Sequence, residues 1–113
     1  MSAIMRIFLA GLFATAALGA ANAALAADVK AGEAKVKGAC QACHGVDGNS
    51  QSADYPKLGG QYPDYLAKTL RDYKSGARKN PIMAGFAGTL STADIENVAA
   101  YYAAQPAALR TTH

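Results

Sequence analysis

The sequence predicts a small all-α domain, three main helices joined by loops, with no strand. Apolar residues recur at helical spacing in three stretches, 29–40, 62–73 and 95–102, and nowhere does the alternation of a half-buried strand appear. Helix punctuation agrees with these stretches. Asp28 and Ser91 stand where N-caps are wanted, Pro63 at an early helical position, and Gly76 and Pro106 where helices end. At 113 residues the chain has room for one domain.

That room shrinks once the N-terminus is read. Residues 1–6 carry one positive charge, at Arg6; 7–21 are apolar or small, with no charged side chain. Ala21-Asn22-Ala23 and Ala24-Leu25-Ala26 are then small-residue cleavage patterns, and Asp28 is the first acid. This is the layout of a secretory signal peptide over residues 1–26, leaving a domain at 27–105 and a C-terminal tail at 106–113. The alternative is an uncleaved anchor, since 7–27 is nearly long enough to span a bilayer. Export from the cytoplasm follows from the first reading. Without Arg6, the full-chain counts of 11 Lys and Arg and 8 Asp and Glu become 10 against 8, a net charge of +2. No dense basic run accompanies it, which argues against nucleic acid as a partner. So short a domain usually needs a staple, a metal or a cofactor to complete its core.

Asp28 caps a first helix with Val29, Gly32, Val36 and Cys40 on one stripe. Gly32 costs a helix interior about 1 kcal/mol relative to Ala. On that stripe it either admits a closely crossing helix or is a neutral Gly in a marginal one. The stripe leads into Cys40-Gln41-Ala42-Cys43-His44. Thiols at i and i+3 share one side of a helical turn, and the imidazole at i+4 points the same way. Cys-x-x-Cys-His is the covalent attachment signature of c-type haem, with His44 beneath the iron. A thioredoxin-like redox pair would want a preceding strand. Half a zinc site would want two more ligands, and only His113 is left. A plain disulfide between Cys40 and Cys43 is the remaining alternative.

After Gly45, residues 47–50 and 56–61 are loop, rich in Gly, Asn, Ser and Pro. Tyr62-Pro63 opens the middle helix, whose stripe Tyr62, Tyr65, Leu66, Leu70 and Tyr73 reads as core meeting a haem edge. Its basic residues, with Arg78 and Lys79 beyond, read as a solvated face. Residues 80–88 are expected to form an extended loop holding Met83, the only methionine left once Met1 and Met5 leave with the leader. A lone Met is by default a core filler. Beside a haem whose His side is taken, Met83 is the candidate second iron ligand, with His113 its competitor. Ser91 and Asp94 make a capping box for the last helix, with Leu90 as its staple. Its stripe is Ile95, Val98, Ala99 and Tyr102.

With these pieces in place the chain resembles the class I c-type cytochromes of bacteria, either the short single-haem c-553 type or one domain of the dihaem periplasmic type. The matching segments are Cys40-Gln41-Ala42-Cys43-His44-Gly45, Tyr55-Pro56-Lys57-Leu58-Gly59-Gly60-Gln61, Gly76-Ala77-Arg78, Met83, Leu90-Ser91, Asp94-Ile95 and Tyr101-Tyr102. The resemblance implies one haem c with helices and loops wrapped around it. It further implies that the Pro56 carbonyl accepts from the His44 ring, that Arg78 lies near a propionate, and that Gly32 and Val36 cross the last helix near Tyr101 or Tyr102.

Two function classes follow. With His44 and Met83 both on the iron, the protein is a carrier of single electrons and no enzyme. Its partners are then redox proteins, such as a membrane cytochrome complex, a terminal oxidase or a reductase, and it meets a membrane only transiently or through an uncleaved leader. With a displaceable sixth ligand it is instead a ligand-binding or peroxidase-like domain. No His, Arg or acid adjoins Met83 in sequence to build a distal pocket, which favours the carrier.

Overall fold

The computed structural model describes residues 26–108. Among them are five helices, α1 Val29–Ala39, α2 Gln41–His44, α3 Pro63–Ser75, α4 Pro81–Gly88 and α5 Thr92–Ala103, and no strand. None of these helices is long and apolar enough to cross a membrane. The expected leader before Ala26, and His113, lie outside the described residues.

Local signals place the helix ends. Asp28 accepts the N–H of Ala31 at 3.0 Å and opens α1. Pro63 starts α3, where its missing N–H has no helical partner to lose, and Gly76 closes it at φ 84°, a left-handed C-cap. The Ser91 hydroxyl accepts from the Asp94 N–H at 3.0 Å, while the Asp94 carboxylate accepts from the Ser91 N–H at 2.9 Å. This reciprocal pair opens α5.

The core lies where α1 and α3 meet α5. Gly32 makes the α1–α5 crossing possible: a Cβ there would sit 2.1 Å from the Asn97 carbonyl oxygen and 3.0 Å from Tyr101 Cβ. The Asn97 side chain then accepts the Asp28 N–H at 2.8 Å, so the crossing is hydrogen-bonded as well as packed. Val36, fully buried, sits among Ile95, Val98, Ala99, Tyr101 and Tyr102 of α5, Leu66 and Ala67 of α3, and Leu90. Burying each larger aliphatic contributes about 1.5–3 kcal/mol. The ion pairs Lys35–Asp94 at 3.5 Å and Arg71–Glu96 at 2.6 Å add ties from α5 to α1 and α3. Both are solvent-screened and contribute about 0–1 kcal/mol each.

Three features depart from the sequence expectations. Residues 80–88 are helical, not extended. Asn80 accepts from the N–H groups of both Ile82 and Met83 at 3.0 Å, and Pro81 occupies the first turn. Two orphan donors are thereby satisfied, which outweighs the helix-weakening Gly85 and Gly88. Tyr62, expected in the core stripe, is 79% exposed as the N-cap of α3, and Ala67 takes the buried position instead. Lastly, the chain beyond α5 packs back on the molecule through residue 108. Asn49 Nδ2 donates to the Pro106 carbonyl at 3.0 Å, and Asn49 Oδ1 accepts the Ala108 N–H at 3.1 Å.

Candidate functional site

Cys40 stands at the joint of two helices. Its N–H ends α1 on the Val36 carbonyl at 2.9 Å, and its own carbonyl accepts from Cys43 at 3.3 Å and His44 at 3.0 Å. The single turn of α2 therefore carries both thiols and the imidazole, and Gly45 at φ 80° ends it. Cys40 and Cys43 are not joined to each other. Burial pushes the Cys40 thiol up, with Lys35 pulling it the other way.

His44 is 7% exposed. Its Nδ1 is 2.9 Å from the Pro56 carbonyl, an acceptor only, so Nδ1 is the donor there and Nε2 is the nitrogen left to face a ligand. Tyr55 packs edge-on against the ring, with centroids 6.3 Å apart and planes at 62°. The Tyr102 hydroxyl donates to the Gly45 carbonyl at 3.0 Å and pins the exit from α2. Burial drives that phenol far above its ordinary range, so it remains a neutral donor.

These side chains open onto a cavity of about 370 Å³. Cys40, Cys43 and His44 line it together with Met83 and Phe86 of α4, with Leu66 and Leu70 of α3 behind. Its size lies within the range of cofactor sites. Arg78, Tyr65 and Tyr73 give it a polar corner. The Arg78 guanidinium stands 5.2 Å over the Tyr73 ring. It also lies beside the Tyr65 hydroxyl, lowering that phenol's pKa and having its own raised in return. Two thiols, an imidazole with a free Nε2, a thioether, apolar walls and one cationic corner form a donor set that suits a covalently held, carboxylate-bearing porphyrin. Among the described residues no three His, Cys, Asp or Glu gather around a possible metal-ion position.

The structure thus brings Cys40, Cys43, His44, Pro56, Arg78 and Met83 to one cavity. Sequence reasoning missed Asn80, although Asn80-Pro81 carries the N-cap signal read at Asp28 and Ser91 together with the early-proline signal read at Pro63. It also missed the pairing of Tyr65 with Arg78 and the Tyr102 hydroxyl as a tie to Gly45. The helical stripe told that both would face inward, not what their hydroxyls would meet.

Comparison with known proteins points the same way. Residues 27–101 match the family model described as cytochrome C oxidase, cbb3-type, subunit III. The chain is 48% identical over 79 residues to cytochrome c4 of Thiocapsa roseopersicina, covering 70% of this chain and 41% of that protein. It is 43% identical over 83 residues to cytochrome c-554(548) of Halomonas halodenitrificans, covering 71% of this chain and 99% of that one. The crystal structure of reduced cytochrome c4 from Pseudomonas stutzeri superposes with a TM-score of 0.66 at 37% identity, over 69% of this chain and 48% of that one. The chain spans less than half the length of the cytochromes c4 it matches.

Proposed function

The chain belongs to the class I c-type cytochromes and carries haem c, and on that premise we propose that it is a periplasmic one-electron carrier with His44 and Met83 as axial ligands. One observation carries this reading: His44, with Nε2 left free by the Pro56 hydrogen bond, and Met83 line the same apolar cavity. Bound haem c supplies a one-electron iron couple.

The chain's own residues do the rest. Cys40 and Cys43 hold the group through their sulfurs and fix its position against the α1–α2 joint. Pro56 keeps the His44 ring in one tautomer and one orientation, which raises its donor strength. Met83 is held near its place by the Asn80 cap on its own N–H. Leu66 and Leu70 keep water from the interior, and Arg78 with Tyr65 offers a cationic, hydrogen-bonding corner to a carboxylate. Ile82 and Phe86, both exposed on α4, put an uncharged rim at the cavity mouth, suited to brief contact with redox proteins.

The test is the optical spectrum of the holoprotein. A weak near-red sulfur-to-iron band in the oxidised form, and slow carbon monoxide binding to the reduced form, are expected. Met83→Ala should abolish the band, open the iron to carbon monoxide and lower the reduction potential. A wild-type protein without the band, or a Met83→Ala protein that keeps it, overturns the assignment.

A further inference from the structure

Between His44 and Pro63 the chain has no helix or strand, yet this stretch presents the Pro56 carbonyl to His44 at 2.9 Å. What holds that carbonyl in place is a set of ties inside the loop and one set leaving it. Inside, the Gly48 carbonyl accepts from Leu58 at 2.7 Å and Gly59 at 3.1 Å, and Lys57 reaches the Ser50 carbonyl at 2.9 Å. Leaving it, the main chain meets α5 at two points, Gly60 N–H on the Tyr102 carbonyl at 2.9 Å and the Gly45 carbonyl on the Tyr102 hydroxyl. Among the described residues, Asn49 is the one side chain of the loop whose hydrogen bonds leave it.

Asn49 uses both ends of its amide. Nδ2 donates to the Pro106 carbonyl at 3.0 Å and to the Asp47 carbonyl at 3.4 Å, and Oδ1 accepts the Ala108 N–H at 3.1 Å. The loop and the returning tail are also in van der Waals contact. A Cβ on Gly59 would lie 2.5 Å from the Asp47 carbonyl oxygen and 2.9 Å from that of Pro106, and one on Gly60 2.6 Å from Ala107 Cβ. The segment 106–108 is therefore a strap drawn across the back of the loop, with the Asn49 amide as its buckle.

We infer that Asn49 and the strap at 106–108 are a positioning device that sets the His44–Pro56 hydrogen bond and, through it, the reduction potential. This rests on the proposed ligation by His44. A firmly held Pro56 carbonyl increases the donor strength of the imidazole, which favours the ferric state. Loosening the loop weakens that bond, favours the ferrous state and raises the potential.

The experiment is an equilibrium redox titration of holoprotein, with the His44 Nδ1 proton followed by NMR. Three variants are compared with wild type: Asn49→Ala, the chain ended after Gln105, and both together. Each single variant should raise the ferrous-to-ferric ratio at fixed ambient potential about two- to tenfold and speed exchange of the His44 Nδ1 proton. The double variant should shift no further than the larger single, because both changes break one link. The chain ended after Gln105 retains Asn49, so it tests the idea even if Asn49→Ala does not fold. An unmoved or lowered potential in the single variants overturns the inference, even if melting temperature falls, because the strap is then packing only. Additive shifts overturn the single-link account. Failure of the His44 and Met83 ligation would show separately, in the wild-type spectrum.

Discussion

Asn80 holds the backbone of the residue it stands three places before: its Oδ1 accepts the Met83 N–H at 3.0 Å and the Ile82 N–H at the same distance. The cap of α4 and the placement of the thioether are thus one structural unit. Asn80→Ala removes an N-cap, a change costing about 0.5–2 kcal/mol, and that loss falls on the first turn of the helix bearing Met83. Expected are a lower melting temperature and faster carbon monoxide binding to the reduced form. Asn80→Asp, which keeps the acceptor, should recover most of both. Equal behaviour of Asn80→Ala and wild type toward carbon monoxide would separate the cap from the ligand.

At the other side of the core, Gly32→Ala forces a methyl to within 2.1 Å of the Asn97 carbonyl oxygen. The obstacle is backbone, so α1 and α5 must move apart, and the change should destabilise by about 1–3 kcal/mol or more. Urea denaturation reads it as a lowered midpoint. Gly38→Ala is the control: nothing lies within 4 Å of its added Cβ, and the better helix former should leave the midpoint unchanged or raise it.

The start of α5 predicts an acid limb. The Asp94 carboxyl lies below its usual range, first because the Ser91 N–H donates to it, with Lys35 a lesser cause. A carboxyl whose pKa is depressed in the folded state stabilises above its unfolded pKa of about 3.9 and loses that stabilisation as pH falls through the lower folded value. Asp94→Asn should therefore be less stable than wild type at pH 7, with the gap closing as pH falls below the unfolded value of about 3.9. Denaturation midpoints across that range give the answer. A gap that persists at low pH would assign the effect to shape and not to charge.

Covalent attachment has the plainest readout. Protein matured with haem available should carry the full haem mass, and a protein that only forms a Cys40–Cys43 disulfide should be lighter than its dithiol by two hydrogens. Cys43→Ala should retain haem through Cys40 alone, in lower yield.

Much of this structure was legible in residue order, and the parts that were not have a common cause. Asp28, Ser91, Asp94 and Gly76 act locally: a cap needs only its neighbours three or four residues on, so sequence alone places it. Gly32 left two readings open, a close crossing or a neutral glycine in a marginal helix, and only the contact with Asn97 decides for the first. The helix Pro81–Gly88 stood where an extended loop was expected, although Asn80 and Pro81 announce a helix in the terms applied elsewhere. The cavity's polar corner and the Asn49 link were out of reach. They depend on which residues meet across sequence separations of up to 59 positions, and periodicity carries no such information.

The crossing of α1 and α5 also bears on the order of events at birth. The apolar face of Gly32 and Val36 finds its partners in α5 and α3, all later in the chain, and the Asp28–Asn97 hydrogen bond spans 69 positions. Closing so long a loop brings its contacts in together and late, after the intervening chain has been delivered. A chain emerging amino end first therefore displays Cys40, Cys43 and His44 at the end of an unshielded α1–α2 segment while more than half of the described residues are still to come. The thiols are open to modification during that interval, and the last helix shuts the door.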